Sequence, residues 1–239
     1  MNIKNICALS LLIFSATHAN NNDVCNLPSP YCDLKEVLPL NDHGWYLNKE
    51  WIHNLFQHNK IRNVIEVGSW LGLSTTDIAS LLPESGYLYA VDTWLGSPET
   101  DYLSELMPTL YEQFLSNMIH HGLTSKVKPV KMTSLAAADN LQAEIGNIDL
   151  IYLDAAHDTK SVLEDLIAYY PYVANRQGIL CGDDWGWNSV KDAVEIFAKT
   201  HNLSLYFGQN FWFLKDDGVF TIKRFIDLPD NVWVFDYKQ

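Results

Sequence analysis

The sequence predicts an α/β protein whose open, mostly parallel sheet carries helices on both faces. Short apolar runs that end in an acidic residue or a glycine recur along the chain, and stretches with helical spacing of apolar residues follow them. The last two runs lie close together, as in an antiparallel hairpin. We therefore expect a seven-stranded sheet that ends in a C-terminal antiparallel hairpin.

Each element has its own signal in the chain. Apolar or alternating runs predict strands at 64–67, 87–92, 126–131, 148–153, 178–182, 203–207 and 211–214. Apolar residues at helical spacing predict helices at 49–57, around 78–82, at 102–121, from 161 and from 188. The alternation of strands with helices is typical of parallel sheets.

Length and charge limit the classes of partner. The chain has 239 residues, of which 48% are hydrophobic, so it can bury one full core. Its formal net charge is −13, and no block of Lys or Arg interrupts the acidity. Because phosphate backbones and anionic membranes repel such a protein, we expect no nucleic acid as partner.

The N-terminal residues 1–19 have the pattern of a secretory signal peptide. Lys4 precedes the apolar run 6–16, and Thr17-His18-Ala19 offers a cleavage site with small residues. Cleavage after Ala19 would export the chain to the periplasm or the medium with no stable membrane partner, whereas an uncleaved leader would serve as an anchor. Residues 20–40 then predict an extended lead-in, and residues 41–239 a single domain.

Three cysteines remain after that cleavage. Cys25 and Cys32 could form a disulfide in an oxidising compartment, and the sequence leaves this open. Cys181 lies in an apolar run and is expected to be a buried thiol. No Cys-x-x-Cys spacing supports a zinc site.

The turn after the first strand is the most informative stretch. Glu66 ends the strand, and Gly68 and Gly72 lead into a helix. Glycines allow positive φ and close approach of a ligand, and a helix start offers unpaired N–H groups. The spacing of these glycines departs from the G-x-G-x-x-G fingerprint, which disfavours a dinucleotide and a nicotinamide-dependent oxidoreductase.

Further acids stand at the ends of other predicted strands. Asp92 closes the second strand, where a carboxylate can accept two hydrogen bonds from a ribose diol; a loop acid or helix cap is the alternative. Asp154 and the pair Asp183-Asp184 close two later strands. Because neighbouring strands lie ~4.8 Å apart, these three acids can converge, and such an oxygen set suits Mg²⁺ or a similar divalent cation. The alternative is that Asp183 and Asp184 cap the helix that begins near Asn188.

The run E-V-G-S-W-L-G-L-S resembles the first motif of class I S-adenosylmethionine-dependent methyltransferases, which have a Rossmann-like fold. Over residues 41–214 the chain is similar to small O-methyltransferases, including the metal-dependent catechol, caffeoyl-CoA and antibiotic-sugar types. The resemblance implies that S-adenosylmethionine binds at Glu66, Gly68, Ser69, Gly72, Ser74, Asp92, Trp94, Thr133 and Ser134. It also implies a metal at Asp154, Asp183 and Asp184, and an N-terminal segment that covers the substrate pocket. His43 and Trp45 of this segment could line the pocket, and for either residue a packing role is the alternative.

One departure from these families concerns the general base. Ala156 stands where the sugar-type enzymes have a second Asp. The base is then either missing or supplied by His157 or Asp158, and His157 has a suitable unperturbed pKa of ~6.5. We take His157 and Asp154 as the candidate catalytic residues.

The predicted function is transfer of a methyl group to a hydroxyl of a small molecule or sugar, with help from a divalent cation. The rival is an exported binding or scaffold protein that keeps the fold without turnover. The apolar tail around 233–235 could pack on the body or on a second copy, so a homodimer is a further expectation.

Overall fold

The computed structural model describes residues 25–144, 147–174 and 178–225. The predicted signal peptide at 1–19 and the apolar tail at 233–235 lie outside these residues and stay predictions. Within the described ranges, no helix is both long enough and apolar enough to cross a membrane.

Eight strands of the described chain form one sheet in the order β3-β2-β1-β4-β5-β7-β6-β8. The strands are β1 (Asn63–Val67), β2 (Tyr87–Asp92), β3 (Val127–Lys131), β4 (Leu150–Leu153), β5 (Ile179–Gly182), β6 (Ser204–Gly208), β7 (Phe211–Lys215) and β8 (Thr221–Arg224). Strands β1 to β5 are mutually parallel, and β7 is antiparallel to both β5 and β6. The predicted α/β sheet with its C-terminal hairpin is confirmed.

The sheet has one strand more than predicted. Strand β8 pairs in parallel with β6 at the sheet edge. It contains one large apolar residue, Ile222, which is itself 43% exposed. Because an edge strand of this kind buries little, it leaves no apolar run in the sequence.

Six helices in the described residues cover the two faces of the sheet. They are α1 (Lys49–His58), α2 (Leu73–Leu81), α3 (Leu110–His120), α4 (Ser134–Glu144), α5 (Thr159–Tyr169) and α6 (Asn188–His201). Helices α1 to α3 pack on one face through residues such as Leu55 and Phe114, and α4 to α6 pack on the other through residues such as Leu166 and Phe197. Neighbouring residues of one strand therefore serve opposite cores, as the two-residue repeat of a strand requires.

The helix predicted at 102–121 begins later than expected. Residues Pro98–Leu103 and Met107–Thr109 form two short 3₁₀ turns, and the α-helix begins at Leu110. Pro108 lacks a backbone N–H and restricts the residue before it, so a continuous helix through this position is unfavourable.

The described part of the lead-in packs on the body of the protein. The buried hydroxyl of Tyr31 donates to the carbonyl of Val127 at 2.9 Å. The backbone N–H of Leu38 donates to Ser116 Oγ at 2.9 Å. Cys25 and Cys32 are both free thiols, and Cys181 is buried as predicted.

The strand order places a crevice at β1. Strands β2 and β3 lie on one side of β1, and β4 and β5 lie on the other, so the direction in which strands are added to the sheet reverses at β1. In open α/β sheets this switch point is where ligands bind, beyond the carboxyl ends of the strands.

Candidate active site

A cavity of about 920 Å³ lies over the carboxyl ends of β1, β2, β4 and β5. Residues of the segment before α1, including Trp45 and Leu47, form part of its wall. Most of the predicted site residues line it: Gly68, Ser69, Ser74, Asp92, Thr133, Ser134, Asp154, His157, Asp183 and Asp184. Trp45 lines it as well, whereas His43, the other residue predicted in the N-terminal segment, is not among the lining residues and packs edge-on against the ring of Trp45.

Glu66 does not line the cavity. Its side chain is fully buried beneath the turn and accepts hydrogen bonds from Ser69 Oγ and Ser74 Oγ, each at 2.7 Å, and from the hydroxyl of Thr75. Burial raises the pKa of Glu66, whereas these three hydroxyls lower it. Glu66 therefore stabilises the turn from its buried side. The prediction that it contacts the cofactor directly is not met, because its side chain does not reach the cavity.

The two glycines of the turn are required by close packing. Gly68 has φ +95°, and a Cβ atom there would lie 1.8 Å from the carbonyl oxygen of Asp154. Gly72 has φ +92°, and a Cβ atom would lie 2.4 Å from Met118 Cε. Gly68 lines the cavity, while Gly72 lies behind it against α3, so only the first is placed to approach a ligand.

Asp92 connects the ends of β1 and β2. Its two carboxylate oxygens accept the backbone N–H groups of Trp70 at 2.8 Å and Trp94 at 2.7 Å. Burial raises the pKa of Asp92, and these N–H bonds oppose the rise. Each carboxylate oxygen has a second lone pair, so Asp92 can hold the turn and still accept hydrogen bonds from a diol in the cavity.

Trp94 is not placed to flank a ligand as predicted. It is 3% exposed, its Nε1–H donates to the carbonyl of Trp70 at 2.7 Å, and its ring packs on Tyr111 and Phe114. Trp70 lines the cavity instead. Both tryptophans have positive φ, +47° and +50°, which turns the chain in a way that apolar periodicity does not reveal.

The three acids of β4 and β5 reach the same cavity with different surroundings. Asp183 accepts hydrogen bonds from the Tyr152 hydroxyl at 3.1 Å and from the amide of Asn210. Asp184, at φ +63°, lies 2.8 Å from His157 through its Oδ2. The carboxylate of Asp154 has no hydrogen-bond partner among the described residues; burial first, and then Asp183 and Asp184, raise its pKa well above the usual range.

The predicted metal ligands are not assembled into a metal centre. Within the described residues, no group of three or more His, Cys, Asp or Glu side chains is arranged to hold an ion. The physical reason is that Asp184 is paired with His157 while the oxygens of Asp183 bind Tyr152 and Asn210. In the described residues the three predicted ligands therefore do not form such a group.

His157 belongs to the cavity wall and is held from three sides. Its Nε2 is 2.8 Å from Asp184 Oδ2, and its Nδ1 is 4.0 Å from Glu99 Oε1. Its ring stacks on Trp187, with centroids 4.9 Å apart. The hydrogen bond to Asp184 is the main reason that the pKa of His157 is raised. The other predicted base, Asp158, instead accepts the N–H of Ser161 and caps α5.

Sequence reasoning missed several residues of the wall. Asn210 comes from the β6–β7 hairpin and reaches Asp183 only because β7 pairs with β5. Asp165 lines the cavity from α5 and is 4% exposed. A buried acid on a helix can be suspected where an apolar face includes Asp; the hairpin contact has no local signal in the sequence.

A family model for the methyltransferase domain matches residues 65–185, which is half of the chain. The match includes the turn after β1, Asp92, and the acids that follow β4 and β5. The chain belongs to this family. The resemblance seen in the turn motif is thereby confirmed, and no curated protein matches this methyltransferase significantly.

Solved structures share the fold of the methyltransferase. A candidate caffeoyl-CoA O-methyltransferase from Staphylococcus aureus is 16% identical, with a TM-score of 0.55 over 77% of this chain and 88% of that one. A candidate O-methyltransferase from Klebsiella pneumoniae is 18% identical, with 0.54 over 82% and 86%. An O-methyltransferase from Bacillus cereus in complex with SAH is 16% identical, with 0.52 over 81% and 85%.

Proposed function

We propose that this methyltransferase uses S-adenosylmethionine to methylate a hydroxyl group of a small molecule. The observation that carries the proposal is the position of Asp92 and Gly68 at one end of a cavity whose other end holds the His157–Asp184 pair. The Bacillus cereus neighbour, which was solved with SAH, supports the same cofactor class.

The cavity offers groups that fit each part of the cofactor. Asp92 would accept hydrogen bonds from the ribose hydroxyls, and Gly68 lets the backbone of the turn approach the bound molecule closely. Thr133 and Ser134, which follow β3, would face the adenine ring of the cofactor. When bound, S-adenosylmethionine supplies an electrophilic methyl group on a sulfonium.

His157 is the group best placed to take the proton from the acceptor hydroxyl. Because its Nε2 is paired with the carboxylate of Asp184, the proton of the neutral ring belongs on Nε2, and Nδ1 keeps its lone pair. Nδ1 can then accept the hydroxyl proton while Asp184 stabilises the resulting imidazolium. Ala156, which cannot act as a base, makes this assignment the simplest one for the loop after β4.

We propose that the transfer needs no metal ion. The sequence predicted Mg²⁺ at Asp154, Asp183 and Asp184, but two of these acids are engaged by His157, Tyr152 and Asn210. The proposal is tested by measuring transfer with EDTA and with added Mg²⁺. A loss of activity in EDTA that Mg²⁺ restores would contradict it.

The catalytic proposal is tested by incubating the full chain with methyl-labelled S-adenosylmethionine and a panel of catechol and sugar acceptors. We expect label on a hydroxyl oxygen and a loss of at least ~100-fold in His157→Gln, as for a general base. The control is His121→Gln, because His121 forms a similar pair with Asp42 at 3.1 Å without lining the cavity.

Two other outcomes would be informative. Cofactor binding without transfer to any acceptor would favour the non-catalytic rival. Transfer that His157→Gln leaves unchanged would remove the assigned base but keep the enzyme.

We also propose that the chain is exported, because residues 1–19 read as a signal peptide. Cell fractionation tests this: the chain should appear outside the inner membrane, shortened at Ala19. Recovery of the full-length chain inside the cell would contradict export.

A further inference from the structure

The end of the cavity proposed for the adenine ring lies between two helices. Thr133 and Ser134 lead from β3 into α4, and both line the cavity. Helix α5 lies beside them, because the hydroxyl of Tyr169 donates to the carbonyl of Ser134 at 2.8 Å. A ring that faces Thr133 and Ser134 is therefore also next to α5.

Helix α5 contributes polar side chains to this end of the cavity. Ser161, Glu164 and Asp165 all line it, and their spacing of three and four residues places them on one side of the helix. Val162 and Leu166, their neighbours in the chain, are buried in the core that α5 covers. The polar side of α5 therefore forms part of the cavity wall.

The two acids on this side of α5 have different surroundings. The side chain of Glu164 is 42% exposed and lies 3.6 Å from Lys160, as is usual for a surface acid. Asp165 is 4% exposed, and the structure shows a hydrogen bond between its carboxylate and the side chain of Ser134. Because a carboxylate has about four acceptor positions, Asp165 can accept further hydrogen bonds from a ligand.

The position of Asp165 is unfavourable for the folded protein at neutral pH. Burial raises the pKa of Asp165 to about 6, although the hydrogen bond with Ser134 opposes the rise. The ionised carboxylate therefore lowers the free energy of unfolding. A buried acid that lowers stability in the wall of a cavity is typical of a residue that binds a ligand.

The adenine ring has a group that matches this acceptor. Its exocyclic amino group is a hydrogen-bond donor, and it needs a protein acceptor when it leaves water. An ionised carboxylate can only accept hydrogen bonds, so it can pair with the amino group and cannot pair with the unprotonated ring nitrogens. The hydroxyls of Thr133 and Ser134 can donate to those nitrogens.

We propose that Asp165 accepts a hydrogen bond from the exocyclic amino group of the cofactor's adenine and makes the site specific for adenine over hypoxanthine. This inference rests on the proposed function and assigns a specificity-determining residue to it. Hypoxanthine has a carbonyl oxygen at the same ring position, and this oxygen would face the carboxylate with no proton between them.

The test compares two ligands that differ at one position of the base. SAH contains adenine, and S-inosylhomocysteine contains hypoxanthine on the same ribose and amino-acid tail. Each is titrated calorimetrically into the full chain at pH 8, where Asp165 is ionised. We expect wild type to bind SAH at least ~10-fold more tightly than S-inosylhomocysteine, because a buried acceptor is left without its donor in the second complex.

Asp165→Asn tests the assigned residue. An amide can donate as well as accept, so it can pair with either base. We expect the ratio of the two affinities to fall at least ~5-fold, mainly through weaker binding of SAH. Unfolding in urea at pH 8 should show a variant at least as stable as wild type. Weaker binding by a protein that is not destabilised separates a binding role of Asp165 from a structural one.

Glu164→Gln is the matched control. Glu164 lies one position away on α5 and also lines the cavity, but its carboxylate is half-exposed and near Lys160. This variant removes the same charge from the same wall, and we expect both affinities to stay unchanged.

Three results would overturn the inference. One is equal binding of the two ligands by wild type, which needs no variant. Another is an affinity ratio that Asp165→Asn leaves unchanged, since Asp165 would then serve only to hold Ser134 at the start of α4. The third is an equal change of the ratio in Glu164→Gln. Absence of SAH binding by the folded wild-type chain would instead contradict the proposed function, so the two failures are distinguishable.

Discussion

The acids that follow β1 and β2 differ in their surroundings from those that follow β4 and β5. At the β1–β2 end, Glu66 accepts three hydroxyl hydrogen bonds and Asp92 two backbone N–H bonds. At the β4–β5 end, Asp183 also has its donors, but the carboxylate of Asp154 has no partner in the described chain, and Asp184 is paired with a histidine that can lose its charge.

This difference teaches that an acid at a strand end has no fixed role. Where donors satisfy the carboxylate, it stabilises a turn, and the ligand site is formed around it. Where they do not, the carboxylate lowers stability and remains available for chemistry or for a positively charged ligand. The two ends should therefore respond differently to substitution.

The largest loss of stability is expected at Gly68, where the turn after β1 touches the end of β4. Gly68→Ala would place a Cβ atom 1.8 Å from the carbonyl of Asp154, at φ +95°. We expect a loss of more than about 4 kcal/mol in the free energy of unfolding, measured with urea, or no folding at all. Gly122→Ala is the control: φ is +67° but nothing lies within 4 Å, so it should cost only about 1–2 kcal/mol.

The next largest change is expected in the pH dependence of the free energy of unfolding when Asp165 is replaced. Burial raises its pKa to about 6 from 3.8, so the folded state binds its proton more tightly than the unfolded state. The stability that this proton provides is present at low pH and is lost as pH rises from about 4 to about 6. Relative to wild type, Asp165→Asn should therefore gain up to about 3 kcal/mol between pH 4 and pH 7.

The Asp165 prediction is checked by urea unfolding of both proteins across this pH range. Asp139→Asn, which alters an exposed acid on α4, provides the control. Parallel pH profiles for wild type and Asp165→Asn would show that this acid titrates normally.

Glu66→Gln tests the hydrogen bonds that hold the carboxylate at the end of β1. Because an amide replaces one carboxylate oxygen by a donor, some of the hydroxyls of Ser69, Ser74 and Thr75 would lose their acceptor. We expect a loss of about 1–3 kcal/mol in unfolding free energy and weaker cofactor binding through a disturbed turn. Unchanged stability would mean that the three hydroxyls are not held as the structure shows.

Asp154→Asn should change the free energy of unfolding least, and it should raise it, unlike Gly68→Ala and Glu66→Gln. Burial and two neighbouring carboxylates raise the pKa of Asp154, so its ionised form destabilises the folded state. We expect a gain on the order of 1 kcal/mol in unfolding free energy at pH 8, which disappears below pH 4, together with loss of activity. A variant less stable than wild type at pH 8 would contradict the contrast between the two ends.

The elements of the sheet were largely predictable, and the reason is physical. Buried parallel strands need continuous apolar runs, so β2 appears in the sequence with the bounds that it has in the structure. The same runs place Asp92 and Asp154 at carboxyl ends, where the crevice lies. Edge strand β8 buries little and left no such run.

The details of the site were less predictable. Glu66 is kept away from the cavity by hydrogen bonds from three hydroxyl groups. Trp70 lines the cavity while Trp94 is buried, and this difference depends on the positive φ values of both residues. The predicted metal ligands are not gathered into one group in the described residues: Asn210, from the β6–β7 hairpin, donates to Asp183, and His157 pairs with Asp184. Such long-range contacts have no local signature in the sequence.

Calorimetric titration of SAH into the full chain tests the central claim most directly, with Asp92→Asn and Asp149→Asn beside wild type. Asp149 is the matched control, because it also accepts two backbone N–H groups, from Arg62 at 2.8 Å and Asn63 at 2.9 Å, without lining the cavity. We predict micromolar binding by wild type and Asp149→Asn, and at least ten-fold weaker binding by Asp92→Asn. No binding by the folded wild-type chain, or equal binding by all three proteins, would contradict the assignment of this cavity to the cofactor.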